Sequence, residues 1–132
     1  MQYKTDLKEK FTVVTFLDAS ITSNSVPEIN ELTQKILSQS PKNLVVNCGQ
    51  VKQWDDSIIA VLANAQQQYY DNNASFVICA LSDTLQNSID HSEYAEMMNL
   101  TPTETEAWDI VQMEEIERDL LDSDDMEFSA EN

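Results

Sequence analysis

Asp55, Asp56 and Ser57 gather the reactive groups of this sequence into one place. Two carboxylates and a hydroxyl in a row can cap a helix, hold a partner through charge, or present the hydroxyl as a phosphate acceptor. They make a poor catalytic pair, because adjacent loop residues rarely converge on one substrate and no base or nucleophile accompanies them. Trp54 precedes them and suits either packing over a helix start or anchoring an interface. His91 is the only histidine. Cys48 and Cys79 lie in apolar runs, where a free thiol acts as a small hydrophobe, so neither a C-x-x-C pair nor a ligand cluster can be written. Gly49 stands alone, which rules out a P-loop and a dinucleotide fingerprint. The expectation is a protein that binds rather than catalyses, with no cofactor and no metal.

The elements that must position these residues follow from pattern. Leu44–Cys48 is short, apolar and β-branched, as a strand buried on both faces requires. Ile58, Ile59, Leu62, Ala65 and Tyr69 recur at helical spacing, which predicts a helix from near Ser57 to Tyr70. The acidic triplet then sits at the strand-to-helix junction. Upstream, Tyr3–Leu7 and Phe11–Leu17 read as a hairpin across the polar turn Lys8-Glu9-Lys10. Asp18–Asn24 reads as irregular. Ser25-Val-Pro-Glu28 has the form of a capping box opening a helix with Ile29, Leu32 and Ile36 on its inner stripe.

Downstream, Phe76–Leu81 is another buried-type strand, and Ser82 can cap a short helix carrying Leu85 and Ile89. Leu100–Thr103 is a candidate last strand. Thr103-Glu-Thr-Glu106 is a second capping box, opening a helix whose inner face is expected to hold Ala107, Ile110, Met113 and Leu120. Residues 122–132 combine high charge with little apolar content and are expected to form an acidic disordered tail after a domain spanning 1–121. Strands alternating with helices give an α/β fold: a small mixed, largely parallel sheet of four or five strands with about four helices.

At 132 residues the chain has the size of one domain with an ordinary core. No apolar run approaches the ~20 residues of a membrane span, and no basic-then-apolar signal pattern opens the chain. A reduced, cytoplasmic setting is expected. The net charge of −17 is lopsided: Arg118 is the one basic residue after Lys52, against nineteen acids. Such a surface repels nucleic acid and anionic membrane and favours a basic protein partner. A phosphoacceptor receiver domain would need a lysine ending its last strand, and none exists beyond Lys52.

The order of elements, with the segment Asp55-Asp56-Ser57-Ile58 before Ile59-Ala60-Val61-Leu62, resembles the STAS family of bacterial anti-sigma factor antagonists. Thr101-Pro102-Thr103, Glu106-Ala107 and Met113–Leu120 resemble the last strand and helix of a bacterial subgroup of these antagonists. The resemblance spans about residues 3–121. It implies a partner-switching regulator of transcription: unmodified protein binds an anti-sigma factor that is also a serine kinase, and phosphorylation of Ser57 releases that partner. Partner contact then falls on Trp54, Asp55, Asp56, Ser57 and Ile58, with Thr22 and Asn24 on the neighbouring loop. Asp56 stands where the family has a small residue and Ile58 where it has a glycine, while Ala19 and Thr22 replace a Gly-x-x-Asp pattern. The alternative is a STAS binding module that is never phosphorylated and serves as an accessory subunit of a larger assembly.

Overall fold

The computed structural model describes the backbone of residues 1–131 and the side chains of 1–121. The expected acidic tail at 122–132 lies outside the residues whose side chains are described. Five strands form the main sheet: β1 (Tyr3–Leu7), β2 (Phe11–Phe16), β4 (Asn43–Asn47), β6 (Phe76–Cys79) and β7 (Leu100–Thr101), in the order β1-β2-β4-β6-β7. β1 runs antiparallel to β2, as the hairpin reading expects, and every other pairing in the sheet is parallel. Four helices accompany it: α1 (Val26–Leu37), α2 (Asp56–Asp71), α3 (Asp83–Asp90) and α4 (Glu104–Glu131).

The two-residue side-chain period of a strand divides the core into two layers. Val14, Phe16, Leu44, Val46, Phe76 and Ile78 point to one face, where α1, α2 and α3 lay Ile29, Ile36, Ile58, Leu62, Leu85 and Ile89 on them. Phe11, Val13, Val45, Val77 and Cys79 point to the other, covered by Ala107 and Val111 of α4. Tyr69 is buried in the larger layer, donating its hydroxyl to the Thr33 carbonyl at 2.6 Å and meeting Phe76 edge-on at 5.2 Å.

Three local expectations are corrected. Ser25 holds a helical backbone within a 3-10 turn (Ser23–Ser25) that runs straight into α1, so no side-chain cap forms; Glu28 accepts from the Met1 amine instead. Met113 and Leu120 face outward, both more than half exposed. The inner face of α4 continues from Ala107 and Val111 into polar residues: Glu115 accepts from Asn43 at 2.6 Å and Arg118 donates to Ser75 at 3.3 Å. Lastly, the stretch 18–24 is not wholly irregular. Ser20–Ile21 forms β3, pairing in parallel with β5 (Gln53–Trp54) as a separate two-stranded clip, with Ile21 fully buried.

Candidate functional site

The β3–β5 clip builds the site. Lys52 and Gln53 donate their amides to the Ala19 carbonyl and Asp55 donates its amide to that of Ile21, so the chain before α2 is stitched to the loop after β2. Asp55 occupies the N-cap position with an extended backbone, yet its carboxylate makes no bond to α2. Its Oδ2 accepts instead from the Ser23 amide at 2.7 Å. Thr22, Ser23 and Asn24, all exposed, are thereby fixed beside the start of the helix. Trp54 is half-buried against the core and donates its indole N–H to Ser88 Oγ at 3.1 Å, which ties the same edge to α3.

Asp56, the first helical residue, is exposed, where its charge complements the α2 dipole. Ser57 follows, half-buried as a residue, but its Oγ is enclosed and makes no hydrogen bond. Ile58 is 0% exposed and sits in the core. It therefore lies beneath the loop and not on a contact surface, which corrects the expectation that it meets a partner. The missing glycine has no conformational consequence either, since the described backbone takes positive φ only at Asn73 and Ala80.

Of the seven candidate positions, the structure brings Thr22, Asn24, Asp55, Asp56 and the rims of Trp54 and Ser57 onto one edge, where the main acidic groups carry like charge. Beside it, an open cleft of about 420 Å³ runs past Asp56, Ile59, Ser88, His91 and Tyr94 toward the end of α3. The role of Ser23 and Ser88 as anchors escapes a reading of the sequence, because each acts through a main-chain amide or a hydroxyl whose partner is more than thirty residues away. Among the described residues no cluster of histidine, cysteine or acidic groups can hold a metal ion, and no helix is long and apolar enough to cross a membrane.

The STAS domain model matches residues 4–107. No curated protein matches the chain in sequence. Among solved structures it is similar to an anti-sigma-factor antagonist (STAS) domain protein of Planctomyces limnophilus, 15% identical over 80% of this chain and 93% of that one, with a TM-score of 0.69. It is also similar to the Bacillus cell fate determinant SpoIIAA in its phosphorylated form, at 15% identity, 83% and 99% coverage and a TM-score of 0.63. The murine anion transporter Slc26a9 contains a similar fold: 16% identity over 82% of this chain but 18% of that one, TM-score 0.67. At these identities the likeness is one of fold, shared by antagonists and a transporter alike. With the family model covering most of the five-stranded sheet and the start of α4, the chain belongs to the STAS domain family.

Proposed function

We propose that this chain is an anti-sigma factor antagonist-type regulator that grips a protein partner, an anti-sigma factor with serine kinase activity, through the edge formed by Thr22, Asn24, Trp54, Asp55, Asp56 and Ser57. It works by binding in a cytoplasmic setting and needs no cofactor. The observation that carries this reading is the clasp from Asp55 to the Ser23 amide, which turns two separate loops into one fixed, exposed, acidic surface beside a helix start. A fixed surface loses little conformational freedom on docking, and its charge selects a basic partner.

Phosphorylation of Ser57 releases the partner. The enclosed Oγ has no hydrogen bond to hold it, and its modification requires it to turn out of that enclosure toward the kinase. Once modified, the group carries about −1.5 to −2 charges and cannot return to a dry site. Beside Asp55 and Asp56 the added charge repels whatever was docked, unless the partner offers an arginine cluster.

The same enclosed hydroxyl favours a second reading. An unmodified Ser57 with Asp56 already supplying surface charge describes a constitutive module, an accessory subunit of a larger assembly. One measurement separates the two. Intact mass of the protein taken from its native cells shows a species heavier by one phosphate, lost in Ser57→Ala, if the switch operates. Its absence across growth conditions leaves the constitutive module. Docking itself is tested by pull-down with wild-type and Ser57→Asp protein, the kinase being retained by the first and lost from the second.

A further inference from the structure

We infer that the outward face of α4, built on Met113, Ile116 and Leu120, is a second docking surface, and that its occupant is a basic amphipathic helix of another protein. These three residues are spaced three and four apart, and all are 56–58% exposed. At about 100° per residue they lie diametrically opposite Ala107 and Val111, which seat the helix on the sheet. A leucine, an isoleucine and a methionine aligned on the face turned from the sheet belong to neither described core layer. As an a/d ridge they are what a partner helix packs against.

Charge selects the occupant. Asp109 heads the stripe, Asp119 flanks one side and Glu117 the other. The one cation of this helix, Arg118, is turned inward to Ser75. A second copy would bring two such acidic rims together, and an anionic lipid surface would be repelled by the same groups. A helix with leucines on one side and lysines or arginines along their borders meets both the apolar ridge and its rim.

The stripe and the Ser57 edge lie on opposite faces of the sheet, because α4 covers one layer and α1, α2 and α3 cover the other. The two surfaces can be filled together, and this inference stands whether or not the Ser57 edge binds a kinase.

The test uses the full chain and a designed helical peptide of leucine and lysine, its leucines on one face, followed by fluorescence anisotropy. A second peptide of equal charge has serine at the leucine positions. Wild-type protein is expected to bind the first at least ~10-fold more tightly than the second. Changing Met113, Ile116 and Leu120 together to serine removes that preference and leaves the net charge unchanged, while Ser57→Asp leaves it intact. Equal binding of both peptides by wild type, or an undiminished preference in the triple variant, overturns the inference. So does a wild-type dimer in sedimentation that the triple variant dissolves, since the occupant is then a second copy.

Discussion

Asp55 Oδ2 lies 2.7 Å from the Ser23 amide, across 32 residues of sequence, and so a residue placed to cap its own helix caps a neighbouring loop instead. Ser23 opens a 3-10 turn, whose first amides have no partner within the turn. The carboxylate satisfies one of them with a charge-assisted bond in an exposed setting, worth about 1 kcal/mol. Asp55→Ala is expected to lower stability by that amount in urea denaturation and to speed hydrogen exchange at the Ser23 amide. Asp55→Asn, which keeps an acceptor, is expected to restore much of the protection. Equal exchange in wild type and Asp55→Ala would show the clasp to be absent in solution.

Ile58 gives the second prediction. The resemblance to the antagonists implies a glycine at this position, so a change to glycine looks like a restoration. The Ile58 side chain is fully buried in the larger core layer and it lies in the first turn of α2. Ile58→Gly leaves a cavity and adds the backbone entropy of glycine in a helix, which together cost about 3–5 kcal/mol. A drop below ~1 kcal/mol by thermal or urea unfolding would mean that the core closes over the gap.

How much of this is legible in the sequence depends on run length and on which side chains set the phase. Leu44–Val46 and Phe76–Cys79 are apolar throughout, and α2 repeats its stripe over four turns, so these elements and the junction between them can be read directly. β3 and β5 cannot: two residues each are too few for any alternation, and only the isolated Ile21 hints that 18–24 touches the core. The phase of α4 misleads for a different reason. Its inner face passes from Ala107 and Val111 to Glu115 and Arg118, which satisfy Asn43 and Ser75 at the sheet edge, so a count of apolar residues selects Met113 and Leu120 on the wrong side. The site is legible as a location but not as a geometry, because the partners of Asp55 and Trp54 are distant in sequence.

The buried thiols set an alkaline limit. Burial, reinforced by the nearby Glu104 charge, pushes Cys79 from an ordinary value near 9.0 up to about 12, and burial pushes Cys48 higher still. Tyr69 is raised in the same way by burial. The unfolded chain releases these protons first, so the folded state holds more protons once pH exceeds about 9, and stability falls as pH rises toward 12. Below that range the contribution is complete and flat. Each thiol costs roughly 1.4 kcal/mol per pH unit in the window. Urea midpoints at pH 8, 9 and 10 are expected to decline beyond 9, and Cys79→Ala to decline less steeply than wild type. Parallel curves for the two proteins would show that Cys79 titrates alike folded and unfolded.

Ser57 separates structure from switching. A hydroxyl enclosed without a partner contributes a desolvation cost and no bond, and serine is a poorer helix former than alanine. Ser57→Ala is therefore expected to raise stability by about 0.5–1 kcal/mol and leave partner affinity near wild type. Ser57→Asp cannot keep the enclosed rotamer, because an unpaired carboxylate does not stay in a dry site, so its charge is forced out beside Asp56. There the α2 amides and dipole favour it, and the fold is expected to lose little. Partner binding, in contrast, is expected to fall by ten-fold or more, a coupling of ~1.4 kcal/mol or greater. Titration of the kinase domain against the three proteins, with unfolding curves run alongside, measures both quantities. If Ser57→Ala destabilises instead, the hydroxyl is bonded in solution and its turn toward a kinase must first break that bond. If Ser57→Asp binds as wild type does, charge at this position does not govern the grip, and the constitutive module is the reading that stands.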